Sequence, residues 1–243
     1  DIAGLVKGAS SGEGLGNQFL GQIKQTSAII HVVRCFDDNK INHVNGKVDP
    51  IKDLEIIETE LLISDIDTLE RRKAKLQKQI KSGDLKDKAS LDILKKLIQH
   101  CSNGKRAETY EVEKDFLWFK KSLHLLTDKP ILYVGNIGEA DLHSKKTSKH
   151  IRDLTVHVKN QNNSVIFLCA SLEQEISLLS KNEQQMFLSE YNLKEPGLNK
   201  VIRSSFDLLG LYTFFTCGEK EVRSWTVQKG IKAPQAAGQI HSD

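Results

Sequence analysis

Short apolar runs rich in β-branched residues constrain the fold of this chain more than any other feature of its sequence. They occupy residues 28–36, 130–136 and 164–170, and patterns typical of helices separate them. Such runs are typical of strands that are buried on both faces, and strands that alternate with helices form parallel sheets. The sequence therefore predicts an α/β fold built on a parallel sheet. The predicted helices include residues 17–26, 50–66 and 147–159.

Two further regions depart from this pattern. Residues 65–122 are dense in Lys, Glu, Asp and Leu, their leucines recur at helical spacing, and Ser82-Gly83-Asp84 interrupts them. This composition predicts an inserted helical hairpin or short coiled coil. Near the end of the chain, segments 212–216 and 221–227 predict two strands joined by a turn, which begin a small β module.

Composition excludes several classes of protein. The 35 Lys and Arg residues nearly balance the 32 Asp and Glu residues, and a formal net charge of +3 excludes a strongly basic nucleic-acid tail as the dominant feature. No apolar stretch approaches the roughly 18 residues that span a bilayer, so we expect a cytoplasmic protein without a membrane partner. The four cysteines form no Cys-x-x-Cys pair and are expected to be buried free thiols: Cys35, Cys101, Cys169 and Cys217.

The first residues carry a pattern that follows a buried strand in P-loop nucleotidases. Asp1-Ile2-Ala3-Gly4 fits Asp-x-x-Gly, in which the aspartate reaches Mg²⁺ through water and the glycine amide approaches the γ-phosphate. An ordinary turn between a strand and a loop fits this short match as well. Four glycines in the following segment 8–17 favour a loop that responds to the γ-phosphate, with a flexible surface loop as the alternative.

Two later strand ends match loops that recognise a nucleotide base. Asn136-Ile137-Gly138-Glu139 stands where P-loop GTPases place Asn-Lys-x-Asp, whose aspartate accepts two hydrogen bonds from guanine. The longer glutamate and the loss of the lysine predict that guanine selectivity is lost, and that backbone groups around Ile137 bind adenine. An incidental Asn at a strand end is the alternative for this motif alone. Cys169-Ala170-Ser171 matches a backbone clamp on the base edge, and together these strand ends predict a nucleotide site.

Several longer stretches are highly specific, namely residues 1–10, 12–17, 31–36, 220–226 and 233–238. Through them the chain resembles, over essentially its whole length, the YchF-type ribosome-associated ATPases of the Obg-related group. The resemblance implies a P-loop nucleotidase domain, interrupted by a helical coiled-coil domain and followed by a β-grasp TGS domain. The implied boundaries are 1–64 and 123–207 for the two parts of the nucleotidase domain, 65–122 for the coiled coil and 208–243 for an incomplete TGS domain.

The resemblance also implies partners and site residues. ATP, or GTP, would be the substrate and Mg²⁺ the cofactor, and the ribosome, through its large subunit and RNA, would be the partner, with no role for DNA. The family has a hydrophobic residue in place of the glutamine that orients water, here Leu5, so another group must promote hydrolysis. His43 matches a family histidine that is a candidate for this role, and a solvent-exposed loop histidine is the alternative. The implied site comprises Asp1 near Mg²⁺, Gly4 near the γ-phosphate, and Asn136, Ile137, Glu139, Cys169, Ala170 and Ser171 around the base.

One departure from the family concerns the phosphate-binding loop. No Gly-x-x-x-x-Gly-Lys-Ser/Thr motif occurs in the sequence, and the first residue is Asp1, not methionine. We therefore expect a fragment whose phosphate loop precedes Asp1, and which by itself binds and hydrolyses nucleotide poorly.

A second interpretation belongs to a different functional class. The protein would be an RNA- or ribosome-binding adaptor in which hydrolysis is incidental. It depends on a basic cluster on the helical hairpin, for which a solvated helix face is the alternative interpretation. The cluster consists of Arg71, Arg72, Lys73, Lys75, Lys78 and Lys81.

Overall fold

The computed structural model describes residues 15–79, 85–144 and 147–240. The predictions for Asp1, Gly4, Leu5 and Lys81 lie outside these residues. No helix within the described ranges combines the length and the apolar character that a membrane span requires. The chain divides into two compact units, one formed by residues 1–29 and 50–130 and the other by residues 30–49 and 131–243.

The first unit is helical, and leucines at helical spacing form its core. The predicted positions Leu69, Leu76, Leu94 and Leu97 are all buried in one cluster, where two long helices pack against each other. The helices of this unit are α1 (Leu15–Gln25), α2 (Pro50–Gln79), α3 (Leu85–Ser102) and α4 (Leu117–Ser122), with 3-10 turns at Ala107–Thr109 and Lys114–Phe116.

Helix α2 is longer than the sequence pattern predicts. It begins at Pro50, a favourable first helical residue because its missing N–H would have no partner there. It continues to Gln79, so the predicted end near residue 66 is wrong. The reason is that Leu69 and Leu76, one heptad apart, continue the buried stripe. Residues 15–17 of the predicted glycine-rich loop likewise belong to a helix, the first turn of α1.

A buried carboxylate fastens the loop after α4 to α2. Both oxygens of Asp65 accept hydrogen bonds, one from the Leu126 N–H and the other from the N–H and hydroxyl of Thr127, each at 2.7 Å. Asp65 and Thr127 are fully buried. Burial raises the pKa of Asp65, although the hydrogen bonds from Thr127 and Leu126 and the charge of Lys24 partly oppose that change. The three donors therefore satisfy a charge that water does not reach.

The second unit contains the predicted parallel sheet, except that the first residue of its first strand belongs to the first unit. The strand order is β1-β2-β3, and β2 pairs with β3 in parallel from Leu132 opposite Ser164 to Asn136 opposite Leu168. The N–H of Ile29 donates to the carbonyl oxygen of Pro130, and the N–H of Cys35 donates to that of Asn136. From the first bond to the second, both segments advance by the same number of residues in the same direction, so β1 is also parallel to β2. The strands are β1 (Ile29–Arg34), β2 (Ile131–Asn136) and β3 (Ser164–Leu168).

Burial agrees with the sequence pattern for β2 but not for β1. The first five residues of β2 are all buried, as a strand covered on both faces requires. In β1, by contrast, Ile30 is 47% exposed and Val32 is 62% exposed, so the prediction of burial on both faces is wrong there. The physical reason is that successive side chains of a strand point to opposite faces of a sheet, and the face of β1 that carries Ile30 and Val32 is left exposed. Cys217 is also exposed, against expectation, whereas the other three cysteines are buried free thiols.

Helices and a hairpin complete the second unit. The two predicted late strands are present and pair antiparallel, with Phe214 opposite Trp225. The indole N–H of Trp225 donates to the Thr216 hydroxyl at 2.9 Å. The elements are α5 (Glu139–His143), α6 (Lys149–Asn160), α7 (Ala170–Leu178), α8 (Lys181–Glu190), α9 (Gly197–Leu208), β4 (Leu211–Cys217), β5 (Val222–Gln228) and α10 (Ala233–Ala237).

Candidate functional site

The structure links the two predicted base-recognition loops at the carboxyl ends of β2 and β3. Asn136 ends β2, and its side-chain oxygen accepts a hydrogen bond from the N–H of Ala170 at 3.0 Å. Ala170 is the first residue of α7, immediately after β3. Because neighbouring parallel strands deliver their following loops to one edge of the sheet, two segments 34 residues apart meet there.

Two of the N–H groups in these loops are already used within the protein. The N–H of Ile137 donates to the carbonyl oxygen of Leu168 at 2.9 Å, and the N–H of Ala170 donates to Asn136. The Ile137 side chain is only 5% exposed, so it packs into the core. A base bound here would therefore rely on acceptor groups of the loops more than on these two donors.

The remaining residues of the predicted clamp form the start of α7. Cys169 is the residue before this helix, and its sulfur lies 3.1 Å from the hydroxyl oxygen of Ser171. Cys169 is buried, whereas Ala170 and Ser171 are exposed. The clamp thus presents a short polar surface above a buried thiol.

Glu139 begins α5, and its carboxylate is held by a residue that the sequence motifs did not indicate. The phenol of Tyr191 donates to Oε1 of Glu139 with 2.6 Å between the oxygens. The Tyr191 ring lies against His143 and Phe187, with ring centroids 4.8 Å and 5.1 Å away. This hydrogen bond to Glu139 raises the pKa of Tyr191 to about 12, with smaller contributions from desolvation and neighbouring carboxylates.

A second carboxylate near the clamp anchors α9. One oxygen of Glu173 accepts from the Gly197 N–H at 2.6 Å and the other from the Leu198 N–H at 3.0 Å. Residues at the start of a helix have N–H groups without a partner inside the helix, so a carboxylate there is favourable. Glycine is required at 197 because a Cβ would lie 2.9 Å from the Cβ of Leu168.

His43 lies in the loop after β1, which Arg34 organises. The guanidinium of Arg34 stacks on the ring of Phe36 at 4.6 Å and donates to the carbonyl oxygens of Phe36, Asp38 and Ile41. Within the loop, Nδ1 of His43 accepts a hydrogen bond from the Asn45 N–H at 3.2 Å. A neutral His43 ring therefore carries its proton on Nε2. His43 is half-buried, so neither the catalytic nor the simple surface interpretation is favoured by exposure alone.

A cavity of about 310 Å³ lies beside the ends of β1 and β2. Its wall includes Cys35, Asp141 and a hydrogen bond at 3.2 Å between Nε2 of His150 and Oδ2 of Asp37. Burial, and to a smaller extent Asp141, raises the pKa of Cys35 to about 12, so this thiol stays protonated at neutral pH. No group of three or more His, Cys, Asp or Glu side chains suited to a metal ion occurs in residues 15–79, 85–144 and 147–240.

The fold places the chain in the class of open parallel α/β proteins, a class whose members bind ligands at the carboxyl ends of the strands. Comparison with known proteins is more specific. A family model described as "YchF-GTPase_C: Protein of unknown function (DUF933)" matches residues 211–243. The protein named "Ribosome-binding ATPase YchF" of Bacillus subtilis is 47% identical over 243 residues, which cover 100% of this chain and 66% of the relative. Its namesake in Mycoplasma pneumoniae is 46% identical over 245 residues, which cover 100% of this chain and 67% of the relative.

A solved structure agrees with these matches. The Schizosaccharomyces pombe YchF GTPase superposes with a TM-score of 0.84 and 38% sequence identity, covering 100% of this chain and 66% of that one. The chain belongs to the YchF family, which confirms the resemblance drawn from its motifs. It spans 66% of the length of the Bacillus relative.

Proposed function

We propose that the full-length protein is an ATP-preferring nucleotide hydrolase, able also to use GTP, that acts as a ribosome-associated regulatory switch in the cytoplasm. Family membership supports the proposal, because relatives carry the names ribosome-binding ATPase and YchF GTPase. The observation that carries it here is the hydrogen bond from Ala170 to Asn136, which joins two loops at adjacent strand ends. That edge of a parallel sheet is where open α/β proteins bind nucleotides.

The proposal assigns a role to each group of site residues. Asn136 holds the Ala170 loop in place, and Glu139 and the loop backbone contact the base. His43, with its proton on Nε2, is the candidate to orient the water that attacks the γ-phosphate, since Leu5 cannot do so. Mg²⁺ would neutralise charge on the phosphates. The remaining proposed contacts are Asp1 near Mg²⁺, Gly4 near the γ-phosphate, and Ile137, Cys169 and Ser171 around the base.

We also propose the domain arrangement that the family implies. Buried Leu69 and Leu76, seven residues apart, support a coiled coil within residues 65–122. The hairpin of β4 and β5, which the matched family model overlaps, supports a TGS domain beginning at residue 208. Residues 1–64 and 123–207 then form the two parts of the nucleotidase domain.

The central test compares nucleotide affinities of the full-length protein. Isothermal titration calorimetry with ATP and GTP in the presence of Mg²⁺ should give tighter binding of ATP. Asn136→Ala should weaken binding of both nucleotides by about tenfold, because the Ala170 loop loses its anchor. Asn160→Ala is the matched control, because Asn160 ends α6 just before β3 begins, at the other end of that strand from Ala170. A strong preference for GTP would contradict the proposed base recognition.

The adaptor function remains a second candidate because basic side chains are exposed along α2. Arg71 pairs with Asp67 and Lys73 pairs with Glu70, so these two charges are partly neutralised. The other described members of the cluster, Arg72, Lys75 and Lys78, are exposed and suit contacts with phosphates of ribosomal RNA on the large subunit.

Ribosome co-sedimentation at two salt concentrations tests this second candidate. Changing Arg72, Lys75 and Lys78 to Glu should weaken association and flatten its salt dependence, because fewer counterions are released on binding. A control that changes three exposed lysines of the second unit, Lys149, Lys159 and Lys200, should leave association unchanged. Association that does not depend on salt would count against phosphate contacts.

A further inference from the structure

The carboxylate of Glu139 is not free to take any orientation at the proposed base site. The phenol of Tyr191 donates to its Oε1 with 2.6 Å between the oxygens, a short distance typical of a hydrogen bond to a charged acceptor. The two residues are 52 positions apart in the chain, so the fold brings them together.

The position of Tyr191 is itself well fixed. It follows the last residue of α8, and its N–H donates to the carbonyl oxygen of Phe187 at 3.3 Å. Its ring packs against Phe187 of the same helix and against His143, the last residue of α5. Glu139 is the first residue of that same α5. Tyr191 therefore contacts both ends of the short helix that carries the carboxylate.

Guanine and adenine make different demands on such a carboxylate. The guanine edge presents two parallel N–H groups, which require both oxygens of one carboxylate in the plane of the base. The adenine edge presents the N–H of one exocyclic amine beside an acceptor nitrogen, which a carboxylate engages through one oxygen at most. Each carboxylate oxygen can accept more than one hydrogen bond, so the phenol acts through orientation: it fixes the Glu139 carboxylate by its Oε1 and opposes the rotation that would bring both oxygens into the plane of guanine. A single contact to adenine through Oε2 needs no such rotation.

We propose that Tyr191 is a positioning residue for base selection, which holds Oε1 of Glu139 and so disfavours the two-oxygen contact that guanine needs. This inference rests on the proposed nucleotide-binding function, and it names Tyr191 as a residue that helps to set the preference for ATP over GTP. The raised pKa of Tyr191 keeps the phenol protonated at neutral pH, so the donor is present under all physiological conditions.

The test measures ATP and GTP affinities of the full-length Tyr191→Phe protein by calorimetry. Phenylalanine keeps the ring packing and removes only the hydroxyl, so the thermal unfolding midpoint should change little. The ratio of the GTP to the ATP dissociation constant should fall about five- to tenfold, mainly through tighter GTP binding. Tyr212→Phe on β4 is the matched control and should leave the ratio unchanged. An unchanged ratio in Tyr191→Phe overturns the inference.

Two further measurements separate the possible failures. In the double variant with Glu139→Gln, removing the Tyr191 hydroxyl should have no additional effect on the ratio, because the two groups act through one contact. The NMR signal of the Tyr191 Cζ can be assigned because it is absent from the Tyr191→Phe protein. At neutral pH and without nucleotide, its ¹³C chemical shift should differ between the wild-type and Glu139→Gln proteins. If that shift does not move, the contact is absent and the inference is overturned, while the proposed function stands. If the wild-type protein binds neither nucleotide, both the proposed function and the inference fail.

Discussion

Each unit of this protein contains a carboxylate that anchors a distant backbone segment, and the two carboxylates are buried to different extents. Asp65 in the first unit and Glu173 in the second each accept hydrogen bonds from the N–H groups of two consecutive residues far along the chain. Asp65 is fully buried and also takes the hydroxyl of Thr127, whereas Glu173 is only half-buried. Equal numbers of backbone hydrogen bonds therefore do not imply equal contributions to the free energy of unfolding. An N–H group that loses its acceptor destabilises the fold most where water cannot take the acceptor's place.

The difference also concerns what each carboxylate holds. Asp65 fastens the loop at Leu126 and Thr127 to the long helix α2, so it belongs to the scaffold of the first unit. Glu173 lies in α7, three residues after Ala170, and fixes the start of α9 beside the proposed base clamp. We infer that removing Asp65 acts mainly on stability, while changes around Glu173 act on the geometry of the site as well.

The largest expected effect comes from Asp65→Ala. Three buried donors would lose their acceptor, which predicts a loss of about 3–5 kcal/mol in the free energy of unfolding. Urea denaturation followed by circular dichroism measures this loss. Asp67→Ala on the same helix, whose carboxylate is exposed and paired with Arg71, should change stability by less than about 1 kcal/mol. Equal effects of the two variants would contradict the role given to burial.

Gly197→Ala should have the next largest effect, this time in the second unit. The new Cβ would lie 2.8 Å from Oε1 of Glu173 and 2.9 Å from the Cβ of Leu168, so either the α9 anchor or β3 must shift. Overpacking of this kind typically costs about 1–3 kcal/mol.

A matched glycine makes this prediction sharper. Gly21 lies inside α1, and a Cβ there would meet nothing within 4 Å. Gly21→Ala should therefore raise the free energy of unfolding by about 0.5–1 kcal/mol, because alanine restricts the unfolded chain and favours a helix. Thermal unfolding of both variants should show changes of opposite sign, and a destabilised Gly21→Ala would contradict the contacts described for α1.

These side-chain anchors explain how far the sequence could predict the structure. The strand β2 was predictable because its burial depends on a local run of apolar residues. The pairings of Asp65 with Thr127, of Glu173 with Gly197 and of Glu139 with Tyr191 span 62, 24 and 52 residues, and no local pattern encodes them. The exposed face of β1 was missed for the same reason, because what packs on each face of a strand is a tertiary property. The meeting of Asn136 and Ala170 at one edge of the sheet was nevertheless predictable, since each ends or follows a recognisable strand.

Glu173→Gln should have a smaller effect than either Asp65→Ala or Gly197→Ala. The amide keeps one acceptor oxygen but directs an N–H group at a backbone donor, which predicts a loss of about 1 kcal/mol at this half-buried position. Glu175→Gln, two residues further along α7 and exposed, is the matched control. Chemical denaturation measures both variants. A loss from Glu173→Gln as large as that from Asp65→Ala would mean that burial does not set the difference between the two anchors.

The smallest expected effect is a pH dependence of stability that arises from Asp65. Burial raises the pKa of Asp65 above its ordinary value of 3.8, so the folded protein binds a proton there more readily than the unfolded chain. The resulting stability is fully present below pH 3.8 and is lost as the pH rises through the folded pKa. The opposing influences of Thr127, Leu126 and Lys24 limit the size of this effect. The stability advantage of the wild-type protein over Asp65→Asn, measured by urea unfolding across this range, should therefore shrink with rising pH. An advantage that grows with pH would show that the hydrogen bonds, not burial, control the ionisation of Asp65.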